Sequence, residues 1–230
     1  MYKSPWSQCV FVSDLMSEVL KLIRKGDEFI NIINRNVTDN DMNVLASELV
    51  CNTTTKFLYL PKTFGYRGLV ALNKALQSNH TLLGLHLQDL QIDAKGAMVI
   101  ARTLSVNKSL KVLWLKKNKI GDAGVEAIAK SLFDNSSLEA LILDSNNIGS
   151  GDGGITALAQ ALSSNTTLSD VSLSNNTIGD QGAFVLADLI SKNNALKVIW
   201  LDGNSLSDAG MAAIKQAAAS KKVSVVFEKK

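Results

Sequence analysis

Six glycines recur along the chain at nearly constant spacing, and this periodicity limits the possible folds more than any other feature. Successive glycines are 28, 28, 30, 28 and 28 residues apart. A fixed period of about 20–50 residues is typical of proteins in which one structural unit stacks on the next. We therefore predict a solenoid over most of the chain. The six glycines are Gly68, Gly96, Gly124, Gly154, Gly182 and Gly210.

Around each glycine the other residues fall into columns that alternate between two kinds of local structure. The copy over residues 110–137 reads LKVLWLKKNKIGDAGVEAIAKSLFDNSS. Leu113 and Leu115 are separated by one residue, which predicts a short strand with one buried face. Ile128 and Leu132 are four residues apart, which predicts one stripe of a helix. Each copy is thus predicted to form a strand, a loop and a helix, so that successive strands lie parallel.

The opening of each copy, L-x-x-L-x-L-x-x-N-x-I/L, resembles the leucine-rich repeat signature. The 28-residue length, the Asp-x-Gly turn and the alanine-rich helix resemble the ribonuclease-inhibitor-like class of these repeats over residues 27–227. The resemblance implies an α/β fold: a right-handed leucine-rich-repeat solenoid, a horseshoe arc with a concave parallel β-sheet and convex α-helices. Small stand-alone members occur among effectors of intracellular bacteria. Because this chain is nearly free of cysteine and its repeats are uniform, inhibition of a ribonuclease is not implied.

We expect a single domain with both ends of the solenoid capped, and hence a complete small protein. Residues 1–26 contain a predicted capping helix with Ser13 at its N-cap, and residues 223–230 add a capping strand. Residues 27–222 are predicted to form seven repeats. These repeats start near residues 27, 54, 82, 110, 138, 168 and 196.

Composition limits the function and location of the protein. In 230 residues, 24 Lys and Arg face 21 Asp and Glu, and a net charge of +3 is too small to indicate a nucleic-acid footprint. The two cysteines, Cys9 and Cys51, cannot build a disulfide framework and favour a reducing compartment. No secretion signal or membrane-spanning run is evident. We expect a cytoplasmic protein, or, if it is a pathogen effector, one that enters a host cytoplasm without a classical signal peptide.

The recurring polar residues have structural interpretations. Aspartates two places before the glycine are predicted to cap helix N-termini rather than to bind calcium. The glycine-rich segment at residues 149–154 lacks the Lys-Ser/Thr of a phosphate-binding loop and coincides with the two-residue insertion, which favours slack in a turn. The aspartates are Asp122, Asp152, Asp180 and Asp208.

A second set of periodic residues lies three places before the first leucine of the next copy. Several of these asparagines match the N-x-S/T acceptor for glycosylation. Their periodicity instead predicts helix C-termini in which the asparagine adopts the left-handed conformation. They are Asn79, Asn107, Asn135, Asn165 and Asn193.

Residues capable of catalysis are scarce. A Cys51–His80 pair is not forbidden by their separation of about one unit, but Cys51 follows Leu49, where a small apolar residue normally plugs the core. No zinc-type ligand spacing is present. We therefore expect no enzymatic activity, no metal and no cofactor.

The most informative residues are those predicted on the concave face, between the buried strand positions. The middle outward column is predicted to be Asn31, Leu58, His86, Trp114, Ile142, Ser172 and Trp200. An apolar strip at solvent-facing positions, with two tryptophans in one column, indicates a partner-binding surface. The predicted partner-binding residues are Leu58, His86, Val112, Trp114, Lys116, Ile142, Asp144, Asp170, Val198, Trp200 and Asp202.

The sequence thus predicts a non-enzymatic protein–protein interaction module that binds a folded partner on its concave face and inhibits or regulates it. The unbound protein is expected to be a monomer that contacts neither nucleic acid nor membrane. An alternative is a GTPase-activating protein or another signalling regulator, because one such family shares this repeat type; faster GTP hydrolysis by a small GTPase would distinguish it. A purely structural spacer is a third possibility, which the exposed tryptophans disfavour.

Overall fold

The computed structural model describes residues 13–151 and 153–227, in which helices alternate with three-residue strands. Cys9 and Asp152 lie outside the described residues. The helices are α1 (Asp14–Lys25), α2 (Asp39–Cys51), α3 (Tyr66–Leu76), α4 (Ala94–Val106), α5 (Gly121–Leu132), α6 (Gly153–Ser164), α7 (Asp180–Lys192) and α8 (Asp208–Lys221). The strands are β1 (Phe29–Asn31), β2 (Phe57–Tyr59), β3 (Gly84–His86), β4 (Val112–Trp114), β5 (Ala140–Ile142), β6 (Asp170–Ser172), β7 (Val198–Trp200) and β8 (Ser224–Val226).

The strands form one parallel sheet in chain order, from β1 to β8. In β1 to β7 the middle residue of each strand is buried and belongs to a continuous core with the helices. Leu85, Leu113 and Leu141 pair in register in this way. The predicted solenoid of strand–loop–helix units is therefore confirmed.

The recurring glycine lies in the first turn of each helix from α3 to α8 and is required by close packing. A Cβ on Gly124 would lie 2.5 Å from Cγ2 of Ile120 and 3.0 Å from Cβ of Ala97. A Cβ on Gly154 would lie 2.7 Å from a carboxylate oxygen of Asp122. The glycine therefore recurs once per repeat because neighbouring helices approach each other too closely at this point for a side chain.

Asparagines at the helix ends join successive repeats, but not in the predicted backbone conformation. Asn107 and Asn193 have φ of −71° and −74°, which is extended rather than left-handed. The Asn107 amide donates hydrogen bonds to the carbonyls of Leu76 and Asn79, one repeat back. Its oxygen accepts from the N–H groups of residues 109 and 110. The buried amide leaves no room for a glycan, so the alternative of glycosylation is excluded here by geometry.

A second series of asparagine hydrogen bonds runs just beyond the strands. Asn146 is fully buried, donates to the carbonyls of Leu115 and Leu143, and its oxygen lies 3.4 Å from the N–H of Ile120. The same pattern continues through Asn118, Asn176 and Asn204. We call these four residues the strand-end asparagines. Leu90 takes their place in the repeat of β3.

The predicted aspartate caps act on the neighbouring repeat rather than on their own helix. Asp122 accepts hydrogen bonds from the N–H groups of Gly149 and Gly151. Asp180 accepts from the N–H and the hydroxyl of Ser207, and these bonds lower the pKa of its carboxyl. For Asp122 and Asp180 the prediction of hydrogen-bond acceptors was right, but the helix assigned to them was wrong.

The first helix joins the first repeat through a partly buried polar contact. Ser13 accepts from the N–H of Met16 and donates its hydroxyl proton to Asp41, at 2.6 Å. Burial raises the pKa of the Asp41 carboxyl, but the hydrogen bonds from Ser13 and Thr38 outweigh this effect and lower it. Asp41 occupies the place that glycine takes in later repeats, so the helix-to-helix contact here is polar.

Candidate functional site

The first and third residues of each strand point away from the helices, and we call the surface that they form the open face. The sheet register places them in two columns. The first column is Phe29, Phe57, Gly84, Val112, Ala140, Asp170, Val198 and Ser224. The second column is Asn31, Tyr59, His86, Trp114, Ile142, Ser172, Trp200 and Val226.

Leu58 does not belong to the open face, and this prediction was wrong. Its side chain is 0% exposed and pairs in register with Ile30 and Leu85 in the core. The predicted start of the second repeat near residue 54 is one residue too early, because Thr55, and not a leucine, fills its first buried position. The outward residues of β2 are therefore Phe57 and Tyr59, which the sequence analysis missed. Matching the Leu58–Leu60 alternation to that of Leu85–Leu87 would have found them.

Five ring side chains form a continuous cluster at the N-terminal end of the open face. Phe29 lies 6.5 Å from Phe57 and 5.0 Å from Tyr59 between ring centroids. Tyr59 stacks on His86 at 5.0 Å and tilts against Trp114 at 5.9 Å, and His86 lies 6.1 Å from Trp114. We call these five residues the aromatic strip.

Gly84 allows the rings to cover the sheet at this point. A Cβ there would lie 2.5 Å from Cδ1 of Phe57 and 3.4 Å from Cζ3 of Trp114. The absence of a side chain in the middle of the first column thus lets the Phe57 ring lie over the neighbouring strand. The arrangement of the rings in the strip therefore depends on Gly84 as well as on the aromatic residues.

The position of His86 within the strip favours the neutral form of its imidazole. Burial between its neighbours lowers the pKa of its imidazole below the ordinary value, and a backbone hydrogen bond opposes this shift only in part. Its Nδ1 is buried and has no hydrogen-bond partner within residues 13–151 and 153–227. The imidazole therefore acts here mainly as a third flat ring between Tyr59 and Trp114.

The apolar surface continues past the strip and is then interrupted. Val112, Ala140 and Ile142 extend it to β5. At β6 the outward residues are Asp170 and Ser172, which break the apolar columns. The predicted single apolar strip is therefore two patches: a first patch from β1 to β5, and a second patch formed by Val198, Trp200 and Val226.

The predicted charged residues are largely engaged within the molecule. Lys116 Nζ lies 3.6 Å from Asp144, whose carboxylate also accepts from the hydroxyl of Ser172. Asp202 accepts from the hydroxyl of Ser174. Both carboxylates belong to residues that are only 6% exposed. They brace neighbouring strands more than they project toward a partner.

Cross-strand ion pairs border the first patch on both sides. On one side Lys56 pairs with Glu28 at 2.5 Å, and Lys111 pairs with Glu139 at 2.8 Å. On the other side Lys62 pairs with Asp89 at 3.2 Å, in line with the Lys116–Asp144 pair. Each pair joins a cation to an anion one strand away, so the borders are polar without a net charge. We call these two rows the charged borders.

A cavity of about 310 Å³ opens beside His86, at the end of the first patch where the strands run into their loops. Ile33 and Leu60 give it an apolar floor, and Lys62, Gln88 and Asp89 give it a polar rim. It is large enough for one side chain of a bound molecule.

Cys51 and His80, the residues considered for catalysis, both lie at the surface. Cys51 is exposed at the end of α2, so the expectation that it plugs the core was wrong. In the part of the chain that the structure describes, no group of three or more His, Cys, Asp or Glu side chains could hold a metal ion. The N–H groups of Gly149 and Gly151 are already bound to Asp122, which occupies the position that an anion would need. No helix among residues 13–151 and 153–227 has the length and apolarity to cross a membrane.

Comparisons with known proteins agree with this architecture. A family model described as leucine-rich repeat matches residues 106–129, 134–159 and 164–187. Over these three segments the chain is similar to leucine-rich repeats. Such repeats are generally non-enzymatic modules for protein interaction. No curated protein matches the sequence significantly.

Two solved structures share the fold of this chain. One is actin-binding site 2 of leiomodin-1, at 19% identity over 92% of this chain and 98% of that chain, with a TM-score of 0.52. The other is the tropomodulin C-terminal domain from Caenorhabditis elegans, at 14% identity over 79% of this chain and 93% of that chain, with a TM-score of 0.50. At these identities the similarity shows a shared fold only.

Proposed function

We propose that this protein is a non-enzymatic binding module that holds a folded partner protein against the open face and thereby regulates or inhibits it. The observation that supports this proposal is the aromatic strip. Five rings occupy outward strand positions, which in a sheet face without a partner are normally polar. Trp114 is the proposed central anchor, with the second patch around Trp200 as an additional contact.

The energetics favour an anchor of this kind. Trp114 is already partly buried, so a partner covers only the remaining part of its indole, and each ~100 Å² removed from water corresponds to about 2.5 kcal/mol at ~25 cal/mol per Å² before association costs. Tyr59 and His86 already order the Trp114 ring, so binding loses little side-chain entropy there. The remaining predicted residues, Val112, Ile142 and Val198, would extend the contact. Lys116, Asp144, Asp170 and Asp202 would set its polar edge.

Three finer features go with this proposal. The arc of the sheet would make the open face concave, the unbound protein would be a monomer, and its location would be cytoplasmic. Membership in the ribonuclease-inhibitor-like class and an effector role stay hypotheses that rest on the sequence resemblance. Actin is not proposed as the partner, because 19% identity to an actin-binding region supports the fold alone.

The test is affinity capture from extracts of the source cell with matched baits. Trp114→Ala combined with Trp200→Ala should abolish capture of the partner, and the two single variants should divide the loss between the patches. The matched control is Phe133→Ala, because Phe133 is an exposed aromatic residue at the end of α5. It should capture the same protein as the wild type.

Each bait is also checked for thermal unfolding, since only folded variants report on the surface. A partner identified in this way is then purified and titrated by calorimetry against the same variants. Equal capture by the double tryptophan variant and the wild type would disprove the proposed surface.

A further inference from the structure

We infer that the first patch accepts an amphipathic α-helix of the partner, lying across the strands from β1 to β5. This inference rests on the proposed function and names the kind of structure that binds. Its basis is the juxtaposition of two apolar columns, two charged borders and one terminating carboxylate, Asp170.

The spacing of the sheet matches that of a helix laid across it. Neighbouring strands are about 4.8 Å apart, and one turn of an α-helix rises about 5.4 Å. Each successive turn of the bound helix would therefore meet the outward residues of the next strand, in the order Tyr59, His86, Trp114 and Ile142. The four intervals from β1 to β5 span about 19 Å, which corresponds to ~13 helical residues.

The width of the patch also fits a single helix. The first and third residues of a strand are about 6.6 Å apart. A strip two columns wide therefore covers the apolar stripe of one helix, with residues at i, i+3, i+4 and i+7. The cavity beside His86 adds a place for one larger side chain at the edge of this stripe.

An extended peptide is a poorer occupant of this surface. The strands of the first patch already pair on both sides, except at the outer edge of β1. The patch therefore offers side chains and not free backbone groups. An extended backbone pressed on it would lose water from its N–H and C=O groups without gaining hydrogen bonds, whereas a helix satisfies them internally.

The borders and the end of the patch specify the polar residues of the partner helix. The cations of both charged borders are paired with acids, so the flanks of the helix need polar residues but no net charge. At β6, Asp170 is half-buried and accepts a hydrogen bond from the hydroxyl of its neighbour Ser169. It forms no ion pair within the described ranges 13–151 and 153–227. A Lys or Arg in the partner helix, one turn beyond its last apolar residue, would form an ion pair with Asp170.

The probe for this inference is an unbiased library of 16-residue random peptides displayed on phage. The library is selected on the full-length wild-type chain and depleted on the Tyr59→Ala/Trp114→Ala variant. We expect enriched peptides with apolar residues at three- and four-residue spacing and a Lys or Arg near one end. A synthetic peptide from this set should gain helical circular dichroism on binding, and a central proline should weaken it more than tenfold.

Single variants of the protein then locate the peptide. Tyr59→Ala and Trp114→Ala should each weaken binding at least tenfold, Asp170→Asn about threefold, and Trp200→Ala less than twofold. Peptides with alternating apolar residues, peptides that tolerate the proline, or a selection without any binder dependent on Tyr59 and Trp114 would overturn the inference. If captured cell proteins still depend on Trp114 in that case, only the helical occupant is wrong. If they do not, the proposed function fails as well.

Discussion

The three repeats of β1 to β3 and the four of β4 to β7 use the same architecture but use their polar positions differently. In the later repeats, the strand-end asparagines join each unit to the one before, and serine hydroxyls and carboxylates brace the open face from β5 onward. In the earlier repeats, Arg35, Thr63 and Leu90 stand where those asparagines would be, and most of the aromatic strip lies there.

This difference separates the part of the sequence that mainly stabilises the solenoid from the part that is available for partner binding. The family model matches segments between residues 106 and 187, which carry β4 to β6, and reaches neither β1 to β3 nor β7. Regular columns are those that the packing of one unit on the next requires. Where a repeat departs from the regular columns, its positions become available for other functions. In this chain, four of the five rings of the strip lie on β1 to β3.

The largest predicted effect is loss of stability in the regular half. Asn146→Ala removes an amide that is fully buried and bonded to carbonyls of two repeats. Leaving those groups unpaired should lower the free energy of unfolding by about 2–4 kcal/mol. Urea denaturation followed by circular dichroism measures the change.

The matched control for this prediction is Asn194→Ala. Asn194 is exposed, and its side chain bonds only to the Lys221 ammonium on the surface among the contacts that the structure describes. It should change the free energy of unfolding by less than about 0.5 kcal/mol. Equal effects of the two substitutions would contradict the structural role of the strand-end asparagines.

A smaller effect is predicted in the irregular half, at Gly84. In Gly84→Ala the new Cβ would meet the Phe57 ring, so this ring must turn away. We expect a loss of about 1 kcal/mol in stability and a partner affinity weaker by severalfold. Combining it with Phe57→Ala removes the obstacle, so the cost of the alanine at position 84 should largely disappear in a double-mutant cycle. If Gly84→Ala still lowers the stability in the Phe57→Ala background, the glycine is required for its backbone conformation and not for the contact with the ring.

The smallest predicted effect is a dependence on pH through His86. Burial lowers the pKa of this imidazole in the folded protein, whereas the unfolded chain takes up its proton near the ordinary pKa of about 6.5. As the pH falls below that value, the unfolded state binds more protons, so stability decreases. The neighbours of His86 are the Tyr59 and Trp114 rings, with the Lys62–Asp89 pair in the adjoining cavity.

The measurement compares the wild type with His86→Gln between pH 7.5 and pH 5. The wild type should lose more stability over this interval than the variant, because only the wild type carries the buried imidazole. An identical decline in both proteins would show that other groups cause it.

The sequence predicted the unit, its period and the core, because each of these is set by the spacing of apolar residues. It placed Trp114, His86, Val112 and Ile142 correctly on the outward side. It failed for Leu58 because residues 57–60 are all apolar, so either alternate set could be the buried one. The leucine that would fix the register at the start of the repeat is replaced by a threonine. That one-residue slip hid Phe57 and Tyr59, and with them the strip.

The polar columns show a second limit of sequence reasoning. The sequence correctly predicts that Asp122 and Asp180 accept hydrogen bonds near helix N-termini and that the periodic asparagines lie at helix C-termini, but it predicts the wrong backbone conformation for the asparagines. The sequence does not show that Asp122 and Asn107 reach into the adjacent repeat, because such contacts depend on how closely the units stack. Their direction follows only from three-dimensional positions.

The asparagine bonds at the helix ends have a consequence for how such a chain changes length. From Asn79 to Asn165, the backbone carbonyl of each asparagine accepts a hydrogen bond from the side-chain amide of the asparagine one unit later, and its own side-chain amide donates to the unit before. Removing or duplicating a full unit leaves every donor opposite an acceptor, whereas a partial deletion would misalign all those that follow. We therefore expect changes in chain length to add or remove whole repeats, with small insertions tolerated only in loops such as the one at Ser150.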